Sequence, residues 1–400
     1  MSALTRLAER ALRAELTVIG LMAGTSADGI DAVVARIGAA ALDEPPVIAV
    51  LASHAEPYPD ALRERVLSAR LASAEEIARL DFELGACFAH AARAAIDAAG
   101  IAIHAVDAIG SHGQTVAHVP GGGIVGPRGR RGAATLQIGS AAVIAEQTGL
   151  PVVHDFRARD VAAGGEGAPL VPYVDWLLLR LDDGVRLAQN LGGVGNVTLV
   201  TPAADDVRAF DTGPANGPID AAVALLSGGR LRCDEGGEAA ARGVVAHDEV
   251  ERLLAHPWFR TPPPRSLSRD IFAEPFVERF IARREDLSGD DVIATLTEFV
   301  ARSIVTAYDE HLPRSEQAPP LRDVIVSGGG VHNAYLMRRL AELLAPVPVR
   351  SSAAVGIDPD DKEALAFAVL AAQTLRGRCG NLPQVTGAAG PRVLGSLTLP

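Results

Sequence analysis

The sequence predicts an α/β protein of two loosely duplicated domains, each a mixed sheet flanked by helices, with a cleft between them. Three observations carry this. A glycine-rich strand-turn-strand occurs twice, at Thr17–Asp31 and at Leu187–Val200, and each copy is followed by a strand with a polar tip and then a helix. The length of 400 residues exceeds one ordinary core, and 48% apolar content is ample for burying two.

In order along the chain, the first hairpin bends through Gly24 to Gly29 and is followed by an apolar strand, Pro46–Ala52. Ser73 and Glu76 read as a capping box that opens a long helix, with Ile77, Leu80, Leu84, Phe88 and Ala92 at helical spacing on its core face. Val106–Gly110 reads as a short buried strand that delivers Ser111, His112, Gly113, Gln114 and Thr115 at its end, where open α/β sheets place ligands. Residues 120–135 form a glycine-rich loop with Arg128, Arg130 and Arg131, read as a solvated surface loop in preference to an anion-attracting lid. Then come a turn at Gln137–Gly139, a helix from Ala141, a strand at Leu150–His154, the polar run Asp155–Asp160 and a glycine-rich segment to Leu170. The second half restarts with its hairpin. It continues with a strand Val207–Phe210, Asp211 to Asn216 at the tip, a helix from Asp220 and a capped helix over Asp290–Tyr308. Last, a strand Asp323–Ser327 delivers Gly328, Gly329 and Gly330 into a helix beginning near Asn333, a ready place for phosphate or nucleotide.

Composition excludes several classes of function. A net charge of −12 without long blocks argues against a dedicated nucleic-acid or anionic-membrane binder, which needs a basic surface. Met1–Leu16 carries charges throughout and lacks the apolar core of a signal peptide, and no membrane span is expected. Cys87, Cys233 and Cys379 are few, odd in number and far apart, so a reducing cytoplasm is predicted. Lys362 is the only lysine, and it precedes Glu363, whereas a Walker phosphate loop needs lysine before Ser or Thr. P-loop, protein-kinase and lysine Schiff-base chemistries are therefore set aside. No histidine pair has helical zinc spacing around a glutamate and the cysteines are unpaired, so zinc is not expected.

The candidate chemistry lies at the bends and tips. Gly24, Thr25, Ser26, Asp28 and Gly29 share one turn, and its recurrence at Gly192–Gly193 together with Gly328–Gly330 favours phosphate over a plain turn. Asp28 or Asp31 would hold Mg²⁺ through water, because Mg²⁺ keeps its waters and uses few carboxylates. Asp211 is the candidate catalytic carboxylate, held rigidly before glycine and proline to take a proton; capping the following turn is its competing role. His112, Gln114, Asp155, Arg157, Arg159 and Asp160 read as partners for a polar substrate, with salt bridges among the last four as the counterpart.

At these residues the chain resembles the anhydro-N-acetylmuramic acid kinase family of the sugar kinase, Hsp70 and actin superfamily. The matching blocks are Gly20–Asp31 (with Ala23 and Ala27 as departures), Ser111–Thr115, Gln137–Gly139, Asp155–Leu170, Asn190–Gly193, Phe210–Asn216, Gly328–Asn333, Lys362–Ala368 and Gly380–Ala388. The resemblance implies duplicated actin-like, ribonuclease H-like domains, divided as residues 1–170 with about 356–400, and 171–355. It implies an ATP- and Mg²⁺-dependent reaction in peptidoglycan recycling and amino-sugar catabolism. Water opens the 1,6-anhydro bridge of the sugar while the freed O6 takes the γ-phosphate, giving N-acetylmuramic acid 6-phosphate. Asp211 matches the general base. Gly24, Thr25, Ser26, Ala27, Asp28, Gly29, Ile30 and Asp31, with Gly192 and Gly193, would face ATP phosphates, and Gly328, Gly329, Gly330 and Asn333 would lie near the adenosine. His112, Gln114, Gln137, Asp155, Arg159, Asp160 and Glu363 would lie near the sugar. A homodimer is the family expectation.

Two departures keep the substrate open: Glu166 where the family commonly has Gln, and Arg265–Arg269 where it has Lys-Ser-Thr-Gly-Arg. Another anhydro-sugar such as levoglucosan, or an ordinary sugar kinase acting on a free hydroxyl, shares the remaining features. A nucleotide-gated binding protein of the actin and chaperone kind is disfavoured, since no peptide-binding domain follows the two halves.

Overall fold

The computed structural model describes residues 3–24, 26–39, 45–121, 132–312 and 319–400. The chain forms two compact units, Met1–Leu178 with Asp361–Pro400, and Leu179–Asp360. Against the expected division, residues 171–178 lie with the first unit and 356–360 with the second.

In the first unit, β1 (Glu15–Ala23), β2 (Gly29–Gly38) and β3 (Ile48–Pro57) form an antiparallel meander. Next to it β4 (Ala108–Val119) runs parallel to β1, β5 (Ala134–Ile138) pairs antiparallel with the far half of β4, and β6 (Val152–His154) runs parallel to β4. The order is β3-β2-β1-β4-β6, closed by a short C-terminal strand, Ser396–Thr398, on β6. In the second unit, β7 (Val185–Leu191), β8 (Val194–Val200) and β9 (Arg208–Pro214) again form an antiparallel meander, with β10 (Leu321–Ser327) parallel to β7 and β11 (Val349–Ser351) parallel to β10. The order β9-β8-β7-β10-β11 repeats that of the first unit, direction for direction. Two copies of one sheet topology make this the duplicated actin-like fold.

Helices cover the sheets where the periodicity places them. Helix Ala74–Ala98 buries Leu80, Leu84, Phe88 and Ala92. Only half of its capping box forms: Ser73 accepts from the Glu76 N–H, but the Glu76 carboxylate accepts from Arg65 Nε instead. Helix Gly289–His311 has a complete box between Ser288 and Asp291. Helix Lys362–Leu375 lies directly on the first sheet. A Cβ on Gly20 would collide with the Ala364 carbonyl, and one on Gly110 with the Phe367 carbonyl. These glycines let helix backbone and strands meet, which is what brings Glu363 to the first unit. No helix among the described residues is long and apolar enough to cross a membrane.

Several boundaries differ from the sequence reading for one physical reason: glycine there marks a bulge within a strand and not its end. Ser111–Thr115 lies inside β4, with Gly113 at φ 77° where the β1–β4 register shifts. Asp211–Pro214 completes β9, with Gly213 at φ 148° beside the β8–β9 shift. Gln137 and Ile138 belong to β5, and the helix expected from Asp220 starts at Asn216. Both polar motifs thus ride on bulges, which re-aim the side chains around them.

Candidate active site

The β1–β2 turn is built tightly. Gly24 O accepts from Ala27 N at 3.1 Å and from Gln114 Nε2 at 3.0 Å, while Ala27 is buried in the left-handed region at φ 53°. A non-glycine residue held there costs about 1 kcal/mol and is kept by its surroundings. Gly29 presses on the Glu56–Pro57 backbone with no room for a Cβ. Asp28 is largely exposed and accepts from Arg63 Nη2 at 3.3 Å, and Asp31 is also exposed. The side chains of Ala27 and Ile30 are in the core, so these positions offer only backbone to a ligand. Thr25, a predicted ATP contact, lies outside the described residues, as do Arg128, Arg130 and Arg131 of the expected arginine loop.

In the second unit the predicted glycines converge. Gly192 O accepts from Asn216 N at 2.9 Å, and Gly193 O accepts from Ala215 N and Gly217 N, each at 3.2 Å. The β7–β8 turn therefore sits against the N-terminus of helix Asn216–Ser227, and a Cβ on Gly193 would meet nothing within 4 Å. Gly328, at φ 82°, packs on Asn190 and Leu191, and Gly330 packs on Leu191 and Asn216. Gly329 lies between them, with Asn216 Nδ2 3.7 Å from where its Cβ would stand. Asn333 caps helix Ala334–Leu344 through Leu336 N at 2.9 Å and packs under Gly237. The result is one glycine-lined cradle bounded by Asn216, a residue of the Phe210–Asn216 block for which no role was predicted. Such a cradle suits phosphate and a flat base.

Asp211 lies on β9, half-buried, with its carboxylate asymmetrically engaged. Oδ2 accepts from Leu267 N at 2.7 Å, and Oδ1 has no hydrogen-bond partner among the described residues. Burial pushes its pKa up to about 6, against the Leu267 hydrogen bond and the positive charge of Arg265. One oxygen fixed, the other open, and a pKa just below neutral leave this carboxylate able to take up a proton.

The remaining predicted residues cluster in the first unit with divided roles. Asp155 opens helix Phe156–Ala162 in the left-handed region at φ 55°, exposed, with burial of its surroundings raising its pKa. Arg159 is exposed, and its side chain makes no hydrogen bond or ion pair among the described residues. Gln137 bonds Thr135 and Thr115 on the sheet. His112 is buried, its Nδ1 at 2.8 Å from Gly113 O and its Nε2 accepting from Arg157 Nε at 2.9 Å. Burial and the Arg157 charge hold its pKa well below the ordinary value, so it is neutral with both nitrogens engaged. It orients Arg157, and is neither a free base nor a ligand.

Asp160 is likewise a scaffold, fully buried, with Oδ1 accepting from Asn381 Nδ2 and Thr386 Oγ1 and Oδ2 from Gly167 N. It ties the C-terminal segment to the glycine-rich loop 163–167, and Gln114 likewise serves the β1–β2 turn through Gly24. Arg157 itself belongs with the site. Its Nη1 donates to Gly167 O at 2.8 Å, its field reaches Glu363, and burial lowers its pKa to about 10. The only lysine, Lys362, forms an ion pair with Asp175 at 2.7 Å, which anchors the start of the helix that carries Glu363.

Among solved structures, component A of the Acidaminococcus fermentans (R)-2-hydroxyglutaryl-CoA dehydratase aligns at a TM-score of 0.46 and 12% identity, over 90% of this chain and 99% of that one. A family model described as anhydro-N-acetylmuramic acid kinase matches residues 16–400. The anhydro-N-acetylmuramic acid kinase of Gloeobacter violaceus is 43% identical over 384 residues, covering 95% of this chain and 97% of its own. That of Salinibacter ruber is 42% identical over 410 residues, covering 100% of both chains. With the match running through every block that carries the glycine turns and Asp211, the chain belongs to the anhydro-N-acetylmuramic acid kinase family.

Proposed function

We propose that the protein opens 1,6-anhydro-N-acetylmuramic acid with water and phosphorylates O6 from ATP, giving N-acetylmuramic acid 6-phosphate and ADP. The observation that carries the reading is Asp211, with Oδ2 anchored by Leu267 N and Oδ1 open. Water attacking C1 must lose a proton as the C1–O6 bond breaks. Asp211 takes that proton and later passes it to solvent, while O6 takes the γ-phosphoryl group and ADP leaves. The cradle of Gly192, Gly193, Gly329 and Gly330 supports binding of ATP through its backbone, with Gly328, whose N–H donates to Pro359 O, shaping it, and the Gly24–Gly29 turn supports it likewise. Asp155, Arg159 and Glu363 support binding of the sugar, Arg159 as a guanidinium fork for its carboxylate.

Mg²⁺, when bound, supplies positive charge against the β- and γ-phosphates. Asp28 or Asp31 would hold it through water: both carboxylates are exposed beside the turn, and the described residues contain no cluster of three His, Cys, Asp or Glu that would replace its waters. The free thiols of Cys87, Cys233 and Cys379 support a cytoplasmic setting, and the family likeness supports a homodimer.

One observation favours a second substrate. Glu166 Oε2 accepts from Gly121 N at 2.9 Å, which fixes a negative charge beside the polar segment where the family commonly has a neutral glutamine. A neutral anhydro-sugar such as levoglucosan would meet less repulsion there than one bearing a carboxylate. Assaying both sugars for ADP release in ¹⁸O-water tests the proposal. Release with the N-acetylmuramic substrate and label at C1 is the expected result. Release only with levoglucosan selects the second reading, label absent from C1 selects an ordinary kinase, and no release with any 1,6-anhydro-sugar sinks the reaction class.

A further inference from the structure

A segment that departs from the family pattern, beginning at Arg265, is the segment that holds Asp211. Asp211 N donates to Arg265 O at 3.3 Å, Arg265 Nε donates to Asp211 O at 2.8 Å, and Leu267 N donates to Asp211 Oδ2 at 2.7 Å. The Arg265 guanidinium is itself over-determined. Its Nη1 donates to Phe259 O and Thr261 O, each at 3.1 Å, and lies 2.9 Å from His311 Nε2. Its Cζ stands 4.4 Å from the Trp258 ring centroid and 5.6 Å from that of Phe210. It is 7% exposed, yet it forms no ion pair with the Asp211 carboxylate, and its Nη2 is buried without a partner.

A buried guanidinium with an unsatisfied donor costs stability, and an apolar side chain would pack this site at lower cost. What the arginine adds is placement of charge. Paired directly with Asp211, it would hold the base ionised and weaken it. Bonded to the main chain instead, it fixes the strand and leaves Oδ1 open.

We propose that Arg265 is a positioning residue for the Asp211 base, clamping the main chain at the carboxylate and supplying a nearby positive charge without pairing with it. This rests on the assignment of Asp211 as the base. The charged and titratable groups facing this site are Arg265 on the loop and His311 and Glu310 at the end of helix Gly289–His311; Asn196, opposite on β8, is uncharged. Burial and the Arg265 charge lower the pKa of His311, and at Asp211 the Arg265 charge acts against the larger, upward effect of burial.

The test compares the full-length protein with Arg265→Met and Arg265→Lys. The pH dependence of kcat/KM is measured together with the carboxyl titration of Asp211, followed by ¹³C NMR of aspartate-labelled protein and assigned by difference from Asp211→Asn. Arg265→Met is expected to move the titration and the acid limb up by about one pH unit, as loss of a near cation does. It should lower kcat/KM about fivefold at pH 6 and leave the KM for ATP within about twofold. Arg265→Lys, which keeps the charge and loses the fork, is expected to keep the acid limb and lower kcat several-fold.

An Asp211 titration unmoved in Arg265→Met overturns the proposal, as does a parallel loss of kcat and ATP binding in Arg265→Lys if the methionine variant does not fold. The NMR titration needs no turnover. If the wild-type protein fails to act on anhydro-sugars while the titration still moves, the reaction is wrong and the role of Arg265 stands.

Discussion

Asp211 trades stability for chemistry, and both sides of that trade can be measured. Its pKa of about 6 in the folded chain stands above the ordinary carboxylate value of 3.8, so the folded state binds its proton more tightly than the unfolded state. The carboxyl therefore favours folding when protonated, and this contribution is lost as pH rises through about 6. Asp211→Asn should accordingly raise the denaturation midpoint at pH 7 to 8, by an amount on the order of 1 kcal/mol for a half-buried group, with the gain vanishing as pH falls toward 4. The same substitution should cut kcat by ~10² or more while leaving ATP affinity nearly intact. Equal loss of turnover and ATP binding would make Asp211 a structural residue. In the wild type, activity should fall with an acid limb near pH 6, since the ionised carboxylate is the form that accepts a proton.

At the scale of elements, glycine does two jobs that look alike in sequence. The hairpins, the alternation of strand and helix, and the cradle at Gly192 and Gly328–Gly330 were legible because short glycine turns and strand-glycine-helix transitions have strong local signals. Gly113 and Gly213 were not, because a bulge and a strand end both read as glycine after an apolar run, and only pairing with β1 and β8 separates them. Asp160 and His112 look like ligands for the same reason. Their polarity is visible in the chain, but Asn381 and Thr386 arrive from the far end of the chain, with Gly167 from the following loop, to absorb one, and Arg157 to absorb the other. A hub predicts its own failure. Asp160→Ala would strand three donors and should cost about 3 kcal/mol in urea unfolding, while raising the KM for sugar more than that for ATP. An unchanged midpoint would refute the scaffold role. Gly110→Ala should cost about 1–3 kcal/mol, because its Cβ would enter the Phe367 carbonyl, and a neutral result there would show that the helix can retreat from the sheet.

The whole molecule is one sheet topology used twice, but the two copies are not equally continuous in sequence. The second unit runs without interruption from Leu179 to Asp360 and has its own core, spread over β7, β8, β9, β10 and the buried face of helix Gly289–His311. The first borrows its last layer from the end of the chain. Helix Lys362–Leu375 covers Gly20 and Gly110, Asn381 and Thr386 neutralise the demand of the buried Asp160 carboxylate, and Ser396–Thr398 closes the sheet edge at β6. Without those residues, the first unit would expose the apolar face of β1 and β4 and leave a buried carboxylate with only Gly167 N as donor, and both are costly. A fragment of residues 179–360 should therefore fold alone, with a cooperative urea transition and dispersed amide resonances, whereas residues 1–178 alone should not. Adding residues 361–400 as a separate peptide should restore structure to the latter, because the missing contacts are non-covalent. Cooperative folding of 1–178 by itself would mean that the C-terminal helix is a cover and not part of the core.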